Sequence, residues 1–414
     1  MQYRKTGATK IFDGYRFWEN RVLILDENGV VKDLLSKDEA GEGIEQVEGI
    51  LSPGFINCHC HLELSHMKGK IPEKTGLVDF VFKVVTERSA GEEEILAAIA
   101  DAEADMKKAG IVAVGDICNN TLTLPQKEKG NLQYYNFVEA SGWLPAISGL
   151  RFERAKLIYD AYSQSSIVKG EFSTTSNLEH QTSNASIVPH APYSVSENLW
   201  QAIQPYFKNK VVSIHNQETR FEDEFFLHGT GDFKRMYELM KIDNSHHQPT
   251  KRSSLQSYFD KLSGAEKIIL VHNTFTKEED VEYVRRETTN VKKENPQPPI
   301  PNPKRQTFFC LCVNANQYIE DALPPIEMLR KHGCNIVLGT DSLASNWSLS
   351  ILDEIKTIRK SFPQIPLEEM LGWATINGAE ALNMEAELGS FEKGKKPGVN
   401  LISHHNLNLI NRTV

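Results

Sequence analysis

The stretch GFINCHCHLELSHM, which begins at Gly54, sets His59 and His61 two residues apart, interleaved with Cys58 and Cys60. Alternate residues of a β-strand point to the same side, so the two imidazoles share one face and the two thiols take the other. Two neutral imidazoles on one face can hold one metal ion. Further groups of the same kind stand in similar surroundings: His190 in ASIVPHAPY, His215 and Glu218 in VVSIHNQET, His272 in IILVHNTF, and Asp341 in NIVLGTDSLASN. A single histidine is more often a satisfied core or surface residue than a ligand. Here every member ends an apolar run, which scattered histidines would not do.

The elements that must position these groups follow from the runs themselves. ILSPGFINCHCH, GIVAVGDI, YYNFVEASG, ASIVPHAPY, VVSIHNQET, IILVHNTF, TFFCLCVNAN and NIVLGTDSLASN are strand-like. Between them lie helical candidates such as GEEEILAAIADAEADMKKAG, where Ile95, Ala98 and Ala102 fall on one face, and SENLWQAIQPYFKNK. Strands alternating with helices predict an α/β fold, a (β/α)8 TIM-type barrel whose chemistry lies at the C-terminal strand ends. ATKIFDG, RVLILDENGVVKDLL and the tail GSFEKGKKPGVNLISHHNLNLI read as short strands. They predict a small β-domain of residues 1–52 with 390–414 beside a barrel of 53–389. Segments 163–185, 243–256 and 287–306 are rich in Ser, Thr, Asn, Pro or Lys and read as surface insertions. His246 with His247, and His404 with His405, read as surface pairs.

Composition narrows the function. The chain has 414 residues, 40% hydrophobic and 24% charged, enough to bury a large core in one barrel. Its formal net charge of −9 has the wrong sign for gripping a nucleic-acid backbone, so a small-molecule partner is expected. The N-terminal MQYRKTGATKIFDG lacks an apolar core, and no stretch reaches the roughly 20 apolar residues of a membrane span. A cytoplasmic location without a membrane partner is the expectation. The 6 cysteines sit in or near apolar runs and read as reduced thiols.

Around one barrel axis, His59 and His61 from the first strand, His215 from the fifth and Asp341 from the eighth would surround a divalent metal and leave a position for water. Glu218, three residues beyond His215, could turn its carboxylate over that water as a proton shuttle, and His272 could hydrogen-bond developing negative charge. The ligand set suits zinc, with iron or manganese as alternatives.

With these residues in hand, the chain resembles the metal-dependent amidohydrolase superfamily, in its cytosine, guanine and adenosine-type deaminase and chlorohydrolase branch. The matching segments are PGFINCHCH, IHNQE, LVHNTF, LGTDSLASN and ATINGAEAL followed by GSFEKGKKPG, in order along almost the whole chain. The resemblance implies that His59, His61, His215 and Asp341 bind one metal, while Glu218, His272 and Asp341 act on water and substrate. Binuclear branches carry a carboxylated lysine on strand four, and ASIVPHAPY has none, so one metal is expected. The implied reaction is hydrolytic removal of an amino group, as ammonia, from a heterocyclic ring. The superfamily further implies a homodimer.

HLELS after His61, with PHAPYSVS, is similar to the aminodeoxyfutalosine deaminase group of this branch. Glu63 and His190 are thus candidate substrate contacts. Arg151 in GLRFERA, with Arg220 as the lesser candidate, would bind a substrate carboxylate bidentately. The sequence departs from relatives at Val313, where proline is frequent, and at Asn400, where aspartate is usual. Chloride release from a triazine-like ring needs almost the same site and is the alternative reaction. A barrel retained only as a scaffold is the non-enzymatic alternative, and the intact ligand set disfavours it. The H-x-E pattern of a different zinc deaminase lacks its later P-C-x-x-C here.

Overall fold

From the N-terminus the computed structural model, which describes residues 3–165, 184–289 and 305–413, first runs through five strands. These are β1 (Arg4–Phe12), β2 (Phe17–Trp18), β3 (Arg21–Leu25), β4 (Val31–Ser36) and β5 (Glu45–Pro53). Eight strands alternating with helices follow: β6 (Phe55–Cys60), β7 (Ile111–Cys118), β8 (Gln133–Ala140), β9 (Ala185–Pro189), β10 (Val211–Asn216), β11 (Lys267–His272), β12 (Gln306–Leu311) and β13 (Asn335–Leu338). Each falls on one of the eight apolar runs, extending at most one residue beyond it. The last two, β14 (Val399–Ile402) and β15 (Leu409–Thr413), return to the N-terminal strands.

The strands β6 to β9 form one four-stranded parallel sheet and β10 to β13 another, both in sequence order. The two sheets touch at both pairs of edges. His215 N donates to His190 O at 3.0 Å on one side, and Thr340 N and Asp341 N both donate to His59 O at 3.0 Å on the other. The side chains of both sheets are almost wholly buried.

A separate sheet takes the order β15-β14-β5-β1-β3-β4, with β2 on β1. The first apolar run is therefore divided: Ile50 to Pro53 belong to β5 in this sheet, and only Phe55 onward joins the parallel strands. Asn400 has a structural position in it. Its Nδ2 donates to Gly110 O at 2.9 Å, locking β14 onto the turn that leads into β7.

Two expectations change on folding. The helix Glu92–Lys108 buries Ile99, Ala102 and Met106, with Glu103 beside them, while Ile95 and Ala98 are only half-buried. Glu103 is held inside because Tyr134 Oη donates to it at 2.8 Å and Asn131 at 2.9 Å. The 243–256 segment is more than a solvated loop: Asn244 accepts from Trp143 Nε1 at 2.7 Å, His247 stacks on Phe225 at 4.0 Å, and Ser254 is fully buried. His247 is thus half-buried, although His246 is exposed. Most of the 163–185 and 287–306 segments lies outside the described residues.

The helix Ile376–Ala381 seats directly on β6, the strand that carries the paired histidines. A Cβ on Gly378 would lie 2.7 Å from Ile56 Cβ and 3.1 Å from Cys58 Sγ. Gly378→Ala is therefore expected to cost about 1–3 kcal/mol by overpacking, overriding the roughly 1 kcal/mol that alanine gains in a helix. Urea denaturation measures this, and a stability gain would show that the contact yields.

Candidate metal centre and active site

The C-terminal ends of β6, β10 and β13 bring four ligand groups together. One donor atom from each of His59, His61, His215 and Asp341 lies within 4.8 Å of the others. His61 Nε2 is 3.3 Å from His215 Nε2 and 3.4 Å from Asp341 Oδ1, and His59 Nε2 is 3.5 Å from the same oxygen. Strand alternation acts as expected from the sequence: Cys58 turns outward, its Sγ 3.8 Å from Gly378 O on the covering helix.

This donor set fits a divalent cation. Both ring nitrogens of the fully buried His59 lack a hydrogen-bond partner among the described residues. Buried polar atoms are rarely left so without a ligand to complete them. Burial holds His61 at about 3 and pushes His215 well below the usual imidazole range, so both rings keep the neutral form that ligation needs. His215 Nδ1 faces the carbonyl of His190 at 2.7 Å. A carbonyl only accepts, so Nδ1 carries the proton and Nε2 is left as the donor to a metal. For Asp341, burial favours the neutral acid, but His59, His61 and His272 overcome it and hold the carboxyl well below its ordinary range. Ser345 Oγ fixes its other oxygen at 2.5 Å.

Glu218 and His272 stand beside this cluster, His272 Nε2 lying 3.6 Å from Glu218 Oε1. Burial raises the Glu218 carboxyl well above its usual value, and the Asp341 charge adds to the shift. The turn that aims it is held from below: Glu222, fully buried, accepts the N–H of Gln217 at 3.0 Å and of Glu218 at 3.2 Å. Ser254 donates to Glu222 at 2.6 Å, which is the role of the polar segment's inner end. His272 Nδ1 lies 2.8 Å from Asn316 Oδ1. Backbone strain gathers here: Gln217, His272, Asn273 and Asp341 all have positive φ. Such conformations persist where surrounding contacts overdetermine them, often at functional sites.

A cavity of about 950 Å³ opens above the cluster. Glu63, Arg151 and His190 all line it, as do His61, His215, Glu218, His272 and Asp341, while His59 lies behind the rim. Arg220 is not on its wall and instead stacks its guanidinium 4.8 Å from the Phe275 ring centroid. Glu63 accepts Asn119 N at 3.1 Å, and burial pushes its carboxyl up to about 7. His190 Nδ1 lies 2.7 Å from Ser194 Oγ.

The sequence reading missed Glu139, Asn119 and Arg88 on the same wall. Glu139 bonds Asn119 Nδ2 at 3.0 Å and lies 3.6 Å from His215 Nδ1. Its signal was present: it is an acid at the C-terminal end of a buried strand, the position that marked Asp341 and Glu218.

The geometry agrees with comparisons to known proteins. Residues 50–411 match the model of the Amidohydrolase family. An adenosine deaminase from Helicobacter pylori is 25% identical over 353 residues, covering 84% of this chain and 77% of that protein. A 5-methylthioadenosine/S-adenosylhomocysteine deaminase from Teredinibacter turnerae is 27% identical over 378 residues, covering 87% and 73%. In fold, the chain is similar to the Helicobacter pylori aminofutalosine deaminase solved with methylthio-coformycin, with a TM-score of 0.78 at 21% identity, covering 99% of this chain and 98% of that one. The protein belongs to the amidohydrolase family.

Proposed function

We propose that the protein is a metal-dependent hydrolytic deaminase of an adenine nucleoside carrying a 5′ substituent, such as aminodeoxyfutalosine. The observation that carries this reading is the convergence of His59, His61, His215 and Asp341 with Glu218 and His272, all but His59 lining one cavity. The curated relatives named as adenosine and 5-methylthioadenosine/S-adenosylhomocysteine deaminases support it. The reading includes closure of the eight parallel strands into a (β/α)8 barrel, for which the edge hydrogen bonds speak. A small β-domain of residues 1–52 with 390–414 would flank a barrel of 53–389.

His59, His61, His215 and Asp341 would hold one divalent ion, with zinc fitting the histidine-rich donors. When bound, the ion supplies a Lewis acid that lowers the pKa of water. Asp341 takes a proton from the attacking water. Glu218, kept in its acid form by burial, donates to the ring nitrogen next to the carbon under attack and regains a proton from the new hydroxyl as the carbonyl forms, while the proton held by Asp341 passes to the leaving amine. Water and the aminopurine thus become the oxopurine and ammonia. His272, its Nδ1–H committed to Asn316 Oδ1, presents Nε2 as an acceptor that orients a hydrogen of the attacking water.

The cavity sits near the upper end of the roughly 300–1,000 Å³ common for small-molecule sites. Its lining includes the apolar Leu64, Phe80, Val81, Ile158 and Met240 together with Arg151. That surface suits a bulky 5′ group ending in a carboxylate, with Glu63 and His190 contacting the nucleoside.

Ammonia release by metal-replete protein across aminodeoxyfutalosine, adenosine, 5-methylthioadenosine, S-adenosylhomocysteine, guanine and cytosine tests the reading. Turnover confined to adenine nucleosides is expected. Chloride release from a chlorotriazine with no ammonia from any nucleoside would replace it with the chlorohydrolase reaction.

A further inference from the structure

A lysine from an unremarkable polar stretch, TLTLPQKEKG, reaches the interior beside the metal-binding turn. Lys127 ends the short helix Leu124–Lys127, and its side chain is completely buried. Its Nζ lies 2.6 Å from Asp116 Oδ2, and it donates to Asn136 Oδ1 at 2.8 Å and Cys118 Sγ at 3.3 Å. Those three partners use the donors an ammonium has. The Tyr134 and Tyr162 rings flank the charge, each with its centroid 4.9 Å away.

Asp116 connects this ammonium to the candidate metal ligands. It pairs in register with Cys60 on β6, and its Oδ1 accepts the backbone N–H of Leu62 at 2.9 Å. Leu62 follows His61 at the point where β6 breaks into the 3-10 turn Leu62–Met67, and His61 there has φ −114 and ψ 77. The Leu62 hydrogen bond therefore sets where the strand ends and which way His61 leaves it. A buried carboxylate keeps one position and its charge only with a well-placed counter-charge. Lys127 supplies it.

We propose that Lys127 is a positioning residue for the metal centre, acting through Asp116 and the Leu62 amide on His61. The inference rests on the reading of His59 and His61 as metal ligands. It differs from simple core support, because it makes metal affinity depend on the acceptor at Asp116 Oδ1 and on the charge that steadies it.

The test is Zn²⁺ affinity of the full chain, by competition with a chromophoric chelator, together with the visible spectrum of the Co²⁺-substituted protein. Lys127→Met is expected to weaken Zn²⁺ binding about 10–100-fold, as losses of groups that orient metal ligands do, and to shift the Co²⁺ bands. The double variant Asp116→Asn/Lys127→Met keeps an acceptor for Leu62 with no charge to balance, and is expected to regain most of the affinity. Asp116→Ala/Lys127→Met, which lacks the acceptor, is expected to stay weak. If Lys127→Met does not fold, the comparison of the two double variants decides alone. Parental affinity in Lys127→Met, or equal affinity in the two double variants, would overturn the proposal. A parent chain that binds no Zn²⁺ or Co²⁺ overturns the metal reading itself and the proposal with it.

Discussion

Glu218→Gln is expected to lower kcat by about 10²–10⁴-fold, the range removed with a general acid–base group, while leaving the metal in place. Glutamine matches glutamate in shape, and the turn beneath it is held through backbone N–H groups by Glu222, so the site geometry should survive. What is lost is the proton that Glu218 carries. Its carboxyl is raised by burial and by the Asp341 charge, so in the proposed reaction it enters as an acid. The measurement is ammonia release under saturating and limiting substrate, with metal content determined on the same samples. A fall in kcat with KM little moved places Glu218 in the transition state rather than in uniform substrate binding. A variant that keeps its metal and more than about a tenth of its turnover would leave Glu218 no role as the main proton carrier.

That Glu218 could be chosen from sequence reflects where barrels keep their chemistry. His59, His61, His215, His272 and Asp341 each interrupt an apolar strand at its C-terminal end, so the break in hydrophobicity itself marks them. Residues whose role depends on tertiary contact leave no such mark. Lys127 lies in a polar stretch that reads as a solvated turn, and only the approach of Asp116, Asn136 and two tyrosine rings makes it interior. Glu222 looks like one more acid in the first turn of a helix, yet it caps two backbone amides under Glu218. Ser254 and His247 sit in a segment whose composition is that of a loop, and their burial comes from Glu222 and Phe225. The division of ILSPGFINCHCH between two sheets was equally hidden. A continuous apolar run carries no sign of which strand partner each half will meet, and β5 pairs with β1 and β14 while β6 pairs with β7.

Removing the metal should abolish turnover and also loosen the protein, and the two effects have one origin. Stripped of an ion, three imidazoles and a carboxylate, all of them buried, face one another within 4.8 Å. His59 then has no hydrogen-bond partner for either ring nitrogen among the described residues, and the Nε2 atoms of His61 and His215 meet at 3.3 Å while His215 Nδ1 is committed to the His190 carbonyl. An ion present at about 1,000 times its dissociation constant would contribute about 4 kcal/mol to the folded state. For a chain this long that corresponds to a fall in Tm of several degrees on chelation, since each kcal/mol moves a domain of about 150–250 residues by only about 2–4 °C. Zn²⁺ added back should restore both Tm and ammonia release along the same titration curve. His59→Ala separates this from a general effect of chelator: its Tm should be insensitive to chelation, because the ligand whose two nitrogens have no other partner is gone. If chelated parent protein is shown free of metal and still keeps its Tm and its turnover, the four residues do not form a working metal centre. If Tm falls but His59→Ala falls equally with chelator, the stabilising ion sits elsewhere in the chain.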